Sequence, residues 1–165
     1  MDKAIIKKIG FGGGCHWCTE AVFNHLIGVK QVQQGWIASD KENDAYSEAV
    51  IVHYDPSIIP IDKLIEIHLH THSSSSNHPM RKKYRSAVYY FDVSEIPIIR
   101  KIIDDCSATF AKAVISTVIP FVSFRENEEK YQNYYQKNSE GPFCQNYINP
   151  KIELLNSEYG EYVRV

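Results

Sequence analysis

The sequence predicts an α+β fold, a two-layer α/β sandwich on a ferredoxin-like β-α-β-β-α-β core with an irregular C-terminal tail. Three observations carry that expectation. Segments of two-residue and of helical periodicity alternate in the order β-α-β-β-α-β, which suits helices laid against a sheet better than a doubly wound sheet. The 165 residues are 44% hydrophobic and 23% charged, enough for one full hydrophobic core and ordinary for a globular chain. No internal repeat and no linker divides the chain, so residues 1–165 read as one domain.

Lys3 to Phe11 is rich in isoleucine and runs directly into Gly12-Gly13-Gly14, a strand feeding a loop. The helix that follows places Cys18, Val22 and Leu26 at i, i+4, i+8 with Ala21 beside them, and Gly28 is its expected C-cap. Val29 to Ile37 and Ala45 to Tyr54 read as strands joined by the polar turn Ser39–Asp44. The second alternates, with Ala49, Ile51 and His53 on one face and Val50, Val52 and Tyr54 on the other. Asp55-Pro56 ends that strand. Pro60 stands where a helix begins, and Ile61, Leu64, Ile65 and Leu69 form its apolar stripe.

Ser73 to Ser76 with Asn77-His78-Pro79 form a loop, and Ser86 to Phe91 a strand. Ser94 opens a helix that carries Ile96, Ile99, Ile102 and Ile103 on one face. Val114 to Phe124 is rich in β-formers but interrupted by Pro120, which implies an edge or a bend. Glu126 to Lys137 reads as a short helix. From Asn138 onward, past Gly141-Pro142, few apolar anchors remain and the chain turns irregular.

The run Gly12-Gly13-Gly14-Cys15-His16-Trp17-Cys18 carries the chemistry. Glycines permit positive φ and close approach, and Cys15 falls at the first turn of a helix. Unpaired N–H groups and the positive end of the dipole stabilise a thiolate there, so Cys15 is the candidate nucleophile. His16 supplies local positive charge, and Trp17 offers a flat apolar surface for a methyl or thioether group. Cys15 and Cys18 form a Cys-x-x-Cys pair, a spacing shared by redox dithiols and half zinc sites. Cys106 and Cys144 stand alone, so redox chemistry is the better reading, with Cys18 either a redox thiol or a small buried residue. Cys106, on a helix beside Asp104-Asp105, reads as inert. Glu20 lies near the start of the first helix, where a carboxylate suits the dipole, and is assigned a structural role.

The net charge of −2 gives no basic excess, so neither nucleic acid nor an anionic membrane is an expected partner, and Arg81-Lys82-Lys83 reads as a solvated loop. The N-terminus lacks the apolar core of a signal peptide, and no stretch approaches a membrane span. A cytoplasmic location is expected, where cysteines are thiols rather than structural bridges. His68 and His72 stand i, i+4 on the expected helix with His70 between them, but no carboxylate or cysteine completes a metal set, and no metal or other cofactor is expected.

Gly-Gly-Cys-x-Trp at a strand-to-helix turn is followed by Tyr46-Ser47-Glu48-Ala49-Val50, by Tyr84-Arg85-Ser86-Ala87-Val88-Tyr89 and by Gly141-Pro142-Phe143-Cys144. In this order and at these separations the motifs resemble the A-type peptide methionine sulfoxide reductase family, from about Ile5 to Ile152. The resemblance implies that Cys15 attacks the sulfoxide sulfur while Glu48 donates a proton and Tyr84 hydrogen-bonds the oxygen. Trp17, His16 and Tyr46 take substrate-binding positions. It also implies that Cys144 resolves the resulting sulfenic acid as a disulfide, which a thioredoxin-like reductant reopens. The chemistry is consistent, because a sulfoxide sulfur is electrophilic only once its oxygen is protonated or strongly hydrogen-bonded.

The chain departs from the family pattern at His16, where phenylalanine is usual, at Cys18 in place of glycine, and at Pro79 in place of an aspartate. The segment between Trp36 and Tyr46 is also shorter and lacks the separate tyrosine of the family, whose hydroxyl Tyr46 is placed to replace. Two other readings keep the reactive Cys15: a Cys-x-x-Cys dithiol oxidoreductase or redox sensor, in which Cys18 resolves, and a non-enzymatic module that binds methionine-like side chains. Neither needs a proton donor, so Glu48 and Tyr84 favour the reductase.

Overall fold

The structure, a computed structural model, describes residues 5–72, 84–110 and 113–164. Among them β1 (Lys7–Gly12), β2 (Val29–Ala38), β3 (Ser47–Tyr54), β4 (Ala87–Tyr90), β5 (Thr117–Pro120) and β6 (Ser123–Glu126) form one sheet in the order β5-β4-β1-β3-β2-β6. β1 pairs antiparallel with β3 and β4, β2 antiparallel with β3 and β6, and only β5 runs parallel to its neighbour, β4. The helices are α1 (His16–Asn24), α2 (Ile61–Thr71), α3 (Ile96–Ser107), α4 (Tyr134–Asn138) and α5 (Asn149–Glu158).

The alternation of β3 decides which residues meet the helices. Val50, Val52 and Tyr54 join Ile9, Phe11 and Val88 under Val22, Phe23, Leu64, Ile65, Leu69 and Leu155, the main core. Ala49 and Ile51 face the other way, with Ile37, Ala87 and Tyr89. Ile119, Phe121 and Phe124 cover that second face, which no helix among the described residues does. It is sealed because the sheet curls: β5 and β6 lie at opposite edges yet are joined by only Phe121 and Val122. The Phe121 N–H donates to the Tyr90 carbonyl at 3.0 Å, the Val122 N–H to Ala38 at 3.2 Å, and Ser39 Oγ to the Pro120 carbonyl at 2.6 Å. Pro120, which cannot donate to a ladder, thus sits at the edge and the bend that its position implied.

Several boundaries differ from the sequence reading. α1 ends at Asn24, and Gly28, at φ 82°, turns the chain into β2 four residues later. The segment expected as one helix from Glu126 to Lys137 begins as β6 and a short 3-10 turn, Glu129–Tyr131, before α4. The largest correction concerns the tail, which is helical rather than irregular. Cys144–Ile148 forms a π-helical turn that continues into α5. Cys144, Ile148, Ile152, Leu155 and Tyr159 recur at near-helical spacing and pack on α1 or the main core. Pro150 reads as a breaker but stands in the first turn of α5, where its missing N–H costs nothing.

Candidate active site

β1 carries the chain to the surface of the helix layer and ends at Gly12, beside Ala49 of β3. Gly13 follows at φ 150°, and a Cβ there would press into the His72 ring, so only glycine fits. Cys15 is the N-cap of α1, and its carbonyl accepts from the Cys18 and Thr19 N–H groups at 3.1 and 3.2 Å. The Cys15 thiol is lowered from its ordinary range, chiefly because the Cys18 thiol donates a hydrogen bond to its sulfur. Burial opposes this, the Trp17 N–H assists, and the Glu48 charge opposes. The same bond, with burial, pushes Cys18 strongly up, so Cys15 is the thiol of the pair that ionises first.

Glu48 shares the helix-facing side of β3 with Val50 and lies opposite Trp36 of β2. Only 6% exposed, it accepts the His16 backbone N–H through Oε1 at 3.3 Å and so caps α1 from across the sheet. That bond holds the carboxyl against the residue that follows Cys15.

A cleft of about 590 Å³ opens on Cys15 and Cys18 and is walled by Gly13, His72, Tyr84, Phe143, Tyr147 and Lys151. The structure therefore brings Cys15, Cys18 and Tyr84 to one opening. Cys144 lies directly beneath, fully buried against Cys18, Ala21 and Ile148 with Cys15 packed alongside. The expectation of an irregular tail at Cys144 is corrected, since the π-helical turn holds this residue in the core, and burial pushes its thiol up.

Glu48 does not line this cleft, and three further positions fall elsewhere. The His16 side chain is not on the cleft wall; it is buried behind Glu48, because the residue after the N-cap points back over the sheet. Trp17 stacks on Tyr134 at 4.0 Å between ring centroids and on Tyr131 at 5.6 Å, and it joins the aromatic wall beside Phe143 rather than the cleft lining. Tyr46 is tied through its hydroxyl to Ser123 Oγ at 2.5 Å on the β6 edge. Asn77, His78, Pro79 and Arg81-Lys82-Lys83 lie outside the described residues.

Glu20 is structural: fully buried, it accepts Gln34 Nε2 at 2.9 Å and the N–H groups of Asn133 and Tyr134 at 3.0 and 3.2 Å. His68 and His72 stack on each other at 4.1 Å between ring centroids, and His70 points elsewhere. His68 Nε2 meets the Gly12 carbonyl at 3.0 Å, His72 Nε2 meets Ser86 Oγ at 2.9 Å, and His70 stacks on Phe110. Cys106 is half-buried on α3 against the main core and is pushed up by burial. Sequence reasoning missed Lys151, Phe143 and Tyr147. Lys151 is lowered by burial while its charge acts on both Cys18 and Cys15. The helical spacing from Cys144 to Leu155 was the signal that would have placed it beside them.

A thiolate at a helix start, a second thiol bonded to it and a carboxyl held alongside define a thiol-dependent redox enzyme. Comparison with known proteins makes the class specific. A family profile described as "Peptide methionine sulfoxide reductase" matches residues 7–162. The chain is 31% identical to the peptide methionine sulfoxide reductase MsrA of Pasteurella multocida, over 92% of this chain and 95% of that protein. It is 30% identical to MsrA of Sulfolobus acidocaldarius, over 90% and 92%. Among solved structures, reduced Mxr1 of Saccharomyces cerevisiae superposes with a TM-score of 0.72 at 21% identity, covering 87% of this chain and 91% of that one. Methionine sulfoxide reductase A of Corynebacterium diphtheriae gives 0.71 at 22%, covering 82% and 76%. The chain belongs to the peptide methionine sulfoxide reductase family, and its activity is thiol-dependent reduction of methionine sulfoxide.

Proposed function

We propose that the chain reduces the S epimer of methionine sulfoxide, protein-bound or free, with Cys15 as nucleophile, Glu48 as proton donor and Tyr84 as a hydrogen-bond donor to the sulfoxide oxygen. The observation that carries this is the lowered Cys15 thiol at the N-cap of α1 with Glu48 bonded to the next backbone N–H. The Cys15 thiolate attacks the sulfur, oxygen passes to the cysteine, and one proton is taken up. A thiolate, a sulfoxide and a proton thus become a sulfenic acid and a thioether. Lys151 supports the negative charge before the attack.

Cys144 then condenses with the sulfenic acid and expels water. A second reading rests on the hydrogen bond between the Cys15 and Cys18 thiols. Once Cys15 is a sulfenic acid, the bond and charge that push Cys18 up disappear, and Lys151 favours its thiolate. In that reading Cys18 resolves first. The disulfide is reopened by a thioredoxin-like reductant, a partner supported by the yeast Mxr1 structure solved in complex with Trx2, which superposes at a TM-score of 0.64 and 19% identity over 81% of this chain and 87% of that one.

The four inner strands β4-β1-β3-β2 and the helices α1 and α2 are read as the ferredoxin-like unit of a single domain over 1–165, with β5 and β6 as added edges. No helix among the described residues is long and apolar enough to cross a membrane, and a cytoplasmic location fits a chain that works as free thiols. Single-turnover reduction of each epimer, followed by peptide mapping without reductant, tests the proposal. Methionine formed only from the S epimer, none from Cys15→Ser, and a Cys15–Cys144 bridge are expected. A Cys15–Cys18 bridge with a fully active Cys144→Ser variant selects the second reading, and turnover by Cys15→Ser overturns the nucleophile.

A further inference from the structure

His16 stands where the family pattern has phenylalanine, and its surroundings show what an imidazole adds there. Its Nδ1 lies 2.7 Å from the Gly35 carbonyl, which can only accept, so Nδ1 carries a hydrogen and the tautomer is fixed. The remaining nitrogen, Nε2, is directed at Glu48 Oε1 at 3.3 Å, with Asn127 Nδ2 also at 3.3 Å. Trp36 packs edge-on against the ring at 5.1 Å, and both His16 and Glu48 are shut off from solvent. A proton between Nε2 and Oε1 is therefore shared by two groups that each gain from it, and in its absence a lone pair faces a carboxylate.

We propose that His16 is a positioning residue that holds a proton in reserve for Glu48, through which it acts on the reaction. This rests on Glu48 as the proton donor. The single proton of the pair, held on Nε2, passes through Glu48 to the sulfoxide oxygen, and the neutral imidazole then accepts from Asn127 until the pair takes a proton back from solvent. The balance is unchanged: the methionine sulfur is reduced, the Cys15 sulfur is oxidised to the sulfenic acid, and one proton is consumed from the pair. Asn127 is itself held, since its amide donates to Gln34 Oε1 at 2.6 Å.

The other ionisable groups around the pair are few. From α1 they are the Cys15 thiol and Glu20, the latter tied to Gln34. From β6 they are Arg125, whose guanidinium stacks on Trp36 at 4.9 Å and on Tyr46 at 5.1 Å, and the exposed Glu126 opposite Gly35. Tyr84 and Tyr147 are phenols on the cleft wall. None of these replaces the imidazole between Glu48 and Asn127.

The test is the pH profile of single-turnover sulfoxide reduction for wild type, His16→Gln, His16→Phe and Glu48→Gln. Glutamine keeps a hydrogen bond to Glu48 but stores no proton. The alkaline limb of its profile is expected to move down by about one pH unit, roughly tenfold in rate on that limb. Phenylalanine restores the family's residue and is expected to show the same displaced limb. A limb unmoved in both His16 variants, with Glu48→Gln strongly impaired, overturns the reserve and leaves Glu48 as donor. A Glu48→Gln rate equal to wild type overturns the donor and the reserve together. Nitrogen NMR of His16 in the wild-type protein gives a readout that needs no variant. Nε2 is expected to gain its proton on acidification while Nδ1 stays protonated, and an Nε2 that stays bare wherever the enzyme is active refutes the proposal.

Discussion

Replacing Glu20 with alanine tests how much of the site rests on one buried carboxylate. Glu20 joins three elements: α1 that carries it, β2 through Gln34, and the start of α4 through the N–H groups of Asn133 and Tyr134. Asn133 holds a left-handed backbone at φ 55°, a conformation that L residues adopt only when neighbours fix it. Alanine would leave three donors facing a void. An unsatisfied donor costs about 1–3 kcal/mol, and because the two backbone bonds are part-buried and water can reach the gap from their side, about 1 kcal/mol each, or roughly 3 kcal/mol in total, is the expected loss. Relief of the buried charge keeps the figure from rising further.

In urea unfolding followed by tryptophan fluorescence, a slope of about 2 kcal/mol/M converts this to a midpoint lower by about 1.5 M. Glu20→Gln keeps one acceptor oxygen and is expected to lose about half as much. The pH dependence carries a definite sign. Burial pushes the Glu20 carboxyl above its ordinary value of 4.5, so the native state binds the extra proton first, and wild type gains on Glu20→Gln as pH falls from neutrality towards 4.5. A midpoint for Glu20→Ala within about 0.3 M of wild type would refute the reasoning, because the two backbone donors would then have found other partners.

Burial of His68 depresses its protonation well below 6.5, so the unfolded chain binds a proton that the native state refuses; stability is full above pH 6.5 and falls below it by up to about 1.4 kcal/mol per pH unit. Urea midpoints from pH 7.5 to 5 are expected to show this fall, and His68→Gln is expected to flatten it. Lys151→Met removes the buried cation that acts on both active-site thiols. The pH midpoint of Cys15 alkylation by iodoacetamide is expected to rise by about one unit, and an unmoved midpoint would show that the Cys18 bond alone sustains the thiolate.

The elements visible in the sequence were those whose local and tertiary demands agree. β3 alternates because one face meets the helices and the other the curled side of the sheet, and α2 shows its stripe because Leu64, Ile65 and Leu69 all face one core. The tail from Cys144 was misread because Gly141-Pro142 looks like a breaker locally and few apolar anchors follow it, whereas packing against α1 and the main core decides the matter. The same limit applied at the site. Cys15 could be picked out because its position at a helix start is a local property. The place of Lys151, which stands 136 positions further along the chain, is not.

The strand-helix order, the alternating face of β3 that carries Glu48, and a cysteine at a helix N-terminus after glycines were all legible locally, since each follows from backbone sterics and periodicity within a few residues. Only the tertiary structure decided that β5 and β6 close a curled sheet, that Cys144 lies in the core under Cys18, and that His16 turns away from the cleft to face Glu48. Those depend on contacts between residues tens of positions apart. The free energy of such contacts comes from joint burial and shared hydrogen bonds, which neither partner's local sequence encodes.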